Sequence, residues 1–267
     1  MKKYIFIVLI VIVLGGLFFF FRKYSAAPTP APSGNSATAP APAPVQPNSV
    51  NPPIKPVKAP LKSEGRLVVG ITDATVPLDS IQGIQMVINE VKIRNSSTQK
   101  WISLSSTARV YNLLALDRAA DLAVFSDNNV PRGIYDQVRI SIAKVSVLKS
   151  DTATAAMLPA STMTINGKII VINGKDAVVS FDFLSDKSLH ITQKGSYLFI
   201  PVVRVQIKSQ SSVQIMNDVI HSAGGVTDID STVGMNEKGV VKTNFILDKN
   251  TNLDVIDNII QIVPTVK

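Results

Sequence analysis

The residues best suited to chemistry crowd into Val178–His190, VVSFDFLSDKSLH, where Asp182, Asp186 and one of only two histidines, His190, fall within nine positions. Two carboxylates and an imidazole could serve as an acid–base pair or as part of a metal site if the fold gathered them. No His-x-x-x-His pair or carboxylate-rich loop accompanies them, and the alternation of the stretch points elsewhere. Phe181 and Phe183 share one face of a strand, which leaves Asp182 on the other face with Ser180. Asp186 falls in the following turn, where Asp commonly accepts from its own backbone. His190 opens the next extended piece, on the face opposite Leu189 and Ile191. The expectation is a strand and its turn, with no catalytic residue.

Other polar residues receive the same scrutiny. Asp228-Ile-Asp230 sets two carboxylates on one face of an extended segment, a fragment of a calcium site that lacks the alternating acids, glycine and closing Glu of an EF-hand. Asp73 and Asp79 bracket the loop Asp-Ala-Thr-Val-Pro-Leu-Asp, whose oxygens could also meet calcium or a ligand. No cofactor beyond that ion is expected. Trp101, the only tryptophan, starts a strand and reads first as a core or rim anchor, second as a platform for a sugar ring. Arg132 ends the polar run Asp127–Arg132, read as an exposed loop. The Gly-x-Ser-x-Gly elbow of serine hydrolases and the phosphate-binding glycine loops are missing from the sequence.

Such side chains need a scaffold, and the chain has no cysteine to staple one. A hydrophobic core must hold the fold alone. The net charge of +8 first suggests a nucleic-acid partner. However, six of the 27 basic residues precede Leu61, leaving 21 against 19 acidic residues, a net of +2. A nearly neutral body speaks against nucleic acid.

Those early charges flank Tyr4–Phe21 (YIFIVLIVIVLGGLFFFF), 18 uncharged residues. As a helix they span about 27 Å, close to the hydrocarbon thickness of a bilayer. The run exceeds a typical signal core, and the best cleavage point, after Ala27, puts Pro28 behind the scissile bond. A retained signal anchor is expected, with the lipid bilayer as its partner. Ser25–Lys62 then carries 11 of the 16 prolines and cannot bury enough surface to offset ordering entropy. Its Ala-Pro alternation favours polyproline II, a semi-rigid spacer reaching on the order of 100 Å.

From residue 64 short Val/Ile-rich segments alternate with polar positions and break at Gly, Asn, Asp and Pro. The pattern predicts strands at Arg66–Asp73, Gly83–Arg94, Trp101–Ser105, Tyr135–Leu148, Ala177–Phe183 and Tyr197–Lys208. Asn166-Gly167 predicts a hairpin between Thr162–Ile165 and Lys168–Ile172. A helix over Leu113–Phe125 follows from apolar residues at 113, 116, 120 and 123. Beyond Lys208, further strands are expected at Val213–Ile220, Gly239–Leu247 and Ile259–Val263. The fold class is mainly β, an antiparallel sandwich of the immunoglobulin or transthyretin kind. The organisation is an anchor (1–24), a stalk (25–63), the sandwich (64–209) and a C-terminal β extension (210–267) packed on it.

Seven short pieces, in order, resemble one family. They are Gly65-Arg-Leu-Val-Val-Gly-Ile-Thr-Asp-Ala74, Asp79-Ser-Ile-Gln-Gly-Ile with Val87-Ile-Asn-Glu-Val-Lys-Ile93, Tyr111-Asn-Leu-Leu-Ala-Leu116, Pro131-Arg-Gly-Ile-Tyr-Asp-Gln-Val-Arg139, Phe181-Asp-Phe183, Lys187-Ser-Leu-His190 and Pro201-Val-Val-Arg-Val205. The region from Gly65 to Lys208 is similar to the bacterial and archaeal envelope proteins grouped as domain of unknown function 4382. That resemblance implies an exported, often membrane-anchored β-domain and supplies no catalytic residues. The function expected is a non-enzymatic protein of the cytoplasmic membrane, its body displayed outside to bind an envelope protein or glycan. Asp73, Asp79, Trp101 and Arg132 are the candidate contacts, and Asp228 and Asp230 the candidate ion ligands. A carbohydrate-binding accessory domain comes second and a hydrolase third.

Overall fold

A computed structural model describes residues 63–264 apart from 74–77, 79, 120 and 151. The expected anchor and stalk, and Asp79, lie outside the described residues. The described chain is mainly β, with several sheets and few helices. Its strands are β1 (Glu64–Asp73), β2 (Gly83–Asn95), β3 (Trp101–Ser105), β4 (Arg109–Asn112), β5 (Ala123–Pro131), β6 (Gly133–Lys149), β7 (Thr152–Met157), β8 (Thr162–Val171) and β9 (Asp176–Phe183). There follow β10 (Leu189–Ile191), β11 (Tyr197–Phe199), β12 (Val202–Met216), β13 (Val219–Ala223), β14 (Val226–Met235), β15 (Val241–Thr243), β16 (Leu253–Ile256) and β17 (Ile259–Ile262). Two short helices interrupt them, α1 (Leu113–Ala119) and α2 (Ser185–Ser188).

The strands form two large sheets and one small hairpin, β16–β17. The first sheet runs β13-β5-β1-β9-β12-β14-β15. The second is built on the long pair β2–β6, with β3 and β4 on the free edge of β2 and β7 and β8 on that of β6. Period-two alternation turns Leu67, Val69 and Ile71 of β1, Phe181 and Phe183 of β9, and Val203, Val205 and Ile207 of β12 toward one core. Ile84, Met86, Ile88, Val91 and Ile93 of β2 meet them with Val138, Ile140 and Ile142 of β6. Two facing sheets sharing one core make a sandwich-like body.

Pairing departs from a purely antiparallel pattern in two places, since β1 runs parallel to β9 and β7 parallel to β11. The first sheet also curls. β13 hydrogen-bonds to β12 and touches β5 through Val219 opposite Ala123, so β5, β1, β9, β12 and β13 close a ring. Val124 N–H donates to Asp218 O at 2.8 Å and Ile220 N–H to Leu122 O at 2.8 Å, sealing the joint. Inside the ring lies a second core of Val68, Val124, Val178, Val213 and Ile220. Val68, Val124 and Val178 alternate with main-core residues on their strands, so one sheet serves two interiors. The hairpin that closes the ring turns on Asn217 and Asp218, both at positive φ (52° and 61°), as a type I′ turn requires.

Gly70 admits that closure. A Cβ there would stand 2.6 Å from Leu122 Cγ and 2.7 Å from Ile220 Cδ1. Gly70→Val is therefore expected to overfill the ring and lower stability by about 1–3 kcal/mol. The measurement is the urea midpoint, which should fall with an unchanged slope.

Several sequence expectations are corrected. Asn166-Gly167 is no hairpin turn: β8 runs through it as one strand, with a register break where Tyr135 faces Ile169 and Gln137 faces Asn166. Gly167 serves a close inter-sheet approach, because a Cβ would stand 2.9 Å from Ile207 Cδ1. The helix expected to reach Phe125 ends at Ala119, and Ala123–Pro131 pairs with β1 instead. That same strand takes up Asp127–Pro131, read from sequence as a loop. Its polar side chains hid a backbone ladder, reinforced where Arg66 Nε and Nη2 donate to Asp127 at 2.8 and 3.0 Å. In the C-terminal part, β12 continues through residue 209 to Met216, and Gly239–Leu247 contributes only Val241–Thr243.

Candidate functional site

The residues of VVSFDFLSDKSLH separate into two neighbourhoods. Phe181 and Phe183 are fully buried in the core, while Asp182 points away from it, in register with Thr72 of β1 and Arg204 of β12. Asp182 lies in the electrostatic field of Arg204 and Asp73. Asp186 and His190 belong elsewhere, beside Lys249, whose Nζ donates to Leu189 O. Burial lowers the Lys249 pKa, and Asp186 opposes that shift. His190 is pushed down to about 4, first by burial and then by the Lys249 charge, so the imidazole is neutral at pH 7. Alternation had put Ile191 inside and His190 out. The structure shows Ile191 59% exposed and His190 buried. β10 is only three residues long and pairs with β11 alone, so its faces follow the packing of the C-terminal segment rather than strict alternation.

Asp73 ends β1 on the core side and is 2% exposed. Its Oδ1 accepts from Ser185 N–H at 3.1 Å, tying the end of β1 to the turn after β9. Burial raises its pKa to about 7; Ser185 opposes the shift, and the negative charges of Asp182 and Asp117 add to it. Oδ2 and the Ser185 hydroxyl are buried close by without a well-formed hydrogen bond. A carboxyl titrating near neutrality has the pKa of a general acid or base. Among the described residues no group of three or more His, Asp or Glu side chains gathers where it could hold a metal ion.

The remaining candidates are dispersed. Asp228 and Asp230 sit on β14 around a register shift: Ile207 faces Ile229 and Lys208 faces Thr227, leaving Asp228 as the extra residue of a bulge. Asp228 accepts from the Ser209 hydroxyl. Asp230 accepts from Arg204 Nε and Nη2, both at 2.7 Å, and from Gln206 at 3.2 Å. That fork holds the Asp230 carboxyl below its usual range. Each carboxylate is thus engaged by its own neighbour. Arg132 is exposed at the β5–β6 turn and lines a shallow groove with Ile134, Ile170 and Asn173.

Trp101 is half-buried on the outer face of the second sheet, with the guanidinium of Arg139 4.1 Å from its ring centroid. The two residues come from β3 and β6 and meet above β2, which runs between them. Arg139 Nε donates to Thr164 Oγ1 of β8 at 3.0 Å. Alternation puts Arg139 on the polar face of its strand and names no partner for it. Its link to Trp101 depends on two strand registers, which local alternation does not carry.

The family model described as Domain of unknown function (DUF4382) matches residues 64–201. The curated proteins and the solved structures yield no match to the chain. The matched segment runs from the start of β1 to the threshold of β12 and takes in the Asp73–Ser185 tie, His190 and the Trp101–Arg139 stack. With just over half of its length covered, the chain belongs to the DUF4382 family.

Proposed function

We propose that this chain is a membrane-anchored, non-enzymatic binding protein that displays its β-body outside the cytoplasmic membrane, on the cell surface or in a periplasm. The observation that carries the reading is the order of three segments in one chain. An uncharged apolar run at Tyr4–Phe21 precedes an Ala/Pro spacer and then a nearly neutral β-body. The apolar run matches a bilayer in length, and the spacer suits a stalk that lifts a domain away from it. The body is read as a sandwich of the immunoglobulin or transthyretin kind, supported by two facing sheets and mostly antiparallel neighbours. A binding role rather than catalysis is supported by how the perturbed groups are used. Asp73 holds a backbone N–H, and His190 lies against Lys249, away from Asp182.

A chain without cysteine allows a direct test. Ser97→Cys places a single thiol in the exposed β2–β3 turn, and Asn173→Cys does so in the exposed turn after β8. In intact cells both variants are expected to react with a membrane-impermeant maleimide and to sediment with membranes. Labelling only after lysis would place the body in the cytoplasm and end this reading.

A further inference from the structure

The outer face of the second sheet carries two polar rows. One row crosses four strands as Asn166, Gln137, Arg94 and Trp101, and the next as Thr164, Arg139, Lys92 and Ser103. These two rows hold three cations, and two are neutralised locally. Arg94 grips Asp136 through two 2.9 Å bonds, and Lys92 pairs with Glu90 at 2.9 Å. Arg66 and Arg204 elsewhere each hold an aspartate through the same kind of fork. Arg139 differs. Its partners among the described residues are a hydroxyl, Thr164 Oγ1, and the indole of Trp101, with no carboxylate in ion-pair reach.

Such an arginine is preorganised for an anion. Stacking on the indole fixes the guanidinium plane. The Nε bond to Thr164 fixes its rotation, which leaves the Nη1/Nη2 end as a two-donor fork. In the same two rows stand half-buried Trp101, Thr164, Gln137, whose amide donates to Asn166 Oδ1 at 2.8 Å, and Ser103, whose hydroxyl donates to Glu90 Oε1 at 3.2 Å. We infer that this face binds a carboxylated glycan, with a uronic acid carboxylate taken by the Arg139 fork and the neighbouring sugar contacting Trp101. Charge decides for an acidic ligand, since Arg139 is the one cation of these two rows without a carboxylate partner. The planar fork suits a planar carboxylate, and the indole with its flanking hydroxyls and amides suits a sugar. The inference rests on the display reading above, because such a glycan is met outside the cell.

Trp101 is the only tryptophan in the chain, so its emission reports this face alone. The full chain in detergent is titrated with an oligogalacturonate, with its methyl ester and with a poly(glycerol phosphate). The expected result is saturable binding of the oligogalacturonate with a change in Trp101 emission, and at least tenfold weaker binding of the other two. Arg139→Gln should weaken oligogalacturonate binding about 10- to 100-fold, in line with loss of a charge-assisted fork. Arg139→Lys, which keeps the charge and loses the fork, should not restore it. Arg204→Gln, on the other sheet, should leave affinity unchanged. Equal binding of the ester, preference for the phosphate polymer, full affinity in Arg139→Gln, or no oligogalacturonate binding by the wild-type chain would each overturn the inference. Maleimide labelling reads location irrespective of ligand. A displayed body without uronate binding therefore sinks only the glycan assignment, and uronate binding by an internal body sinks only the display reading.

Discussion

Replacing Phe181 by alanine is expected to lower the unfolding free energy by about 3–5 kcal/mol. Phe181 is fully buried at the middle of β9, between the parallel strand β1, where it faces Ile71, and the antiparallel strand β12, where it faces Val205. It stands in the core shared by the two sheets, so truncation leaves a void lined from both sides. A rigid strand flanked on each edge by ladders cannot collapse into that void, which puts the cost in the upper part of the range. Domains of this size are stable by roughly 5–15 kcal/mol, so the loss is a large share of the whole. Phe181→Leu keeps most of the volume and should cost about 1–1.5 kcal/mol. The check is the denaturant midpoint of both variants. Near-equal midpoints for the alanine and leucine variants would mean that the two sheets do not close on this side chain.

How much of this was legible in the sequence depends on the range over which each feature is encoded. β1, β2, β3 and β9 lie within two residues of their sequence positions because half-buried strands write alternation directly into Val, Ile and Phe spacing. Asp127–Pro131 was invisible to that signal. Asp-Asn-Asn reads as a turn, and only pairing to a distant β1 makes it a strand. Asn166-Gly167 misled for the same reason, since a dipeptide that forms hairpins in isolation here relaxes a long strand beneath Ile207. The parallel β1–β9 pair and the ring closed by β13 join residues about 100 apart, and no local pattern specifies them. The site followed the same rule. Trp101 stood out by rarity, whereas its partner Arg139 emerges only once β3, β2 and β6 are placed in register.

Asp73→Asn is expected to raise stability by about 1.5 kcal/mol at pH 5 and by a few kcal/mol at pH 8.5. In the unfolded chain the carboxyl titrates near 4, and in the folded protein near 7, because burial penalises its charged form. Between those values the folded state keeps a proton that the unfolded state has released. Stability therefore falls as pH rises through this window and stays low above it. Three pH units correspond to a ceiling of about 4 kcal/mol. Asparagine is neutral throughout and retains an Oδ1 to accept from Ser185 N–H, so it removes the charge penalty while keeping the tie. His190 acts with the opposite sign. Its pKa falls from 6.5 to about 4, so its contribution is present above pH 6.5 and is lost as pH drops toward 4. The two groups oppose each other between pH 4 and 6.5, and the wild-type chain should show a shallow profile there. Asp73→Asn should unmask a clear rise in stability over that interval, and adding His190→Gln should flatten it again. Urea midpoints at half-unit pH steps for the three chains resolve this. An Asp73→Asn advantage that does not grow between pH 5 and 8.5 would show that the folded protein does not hold the Asp73 proton.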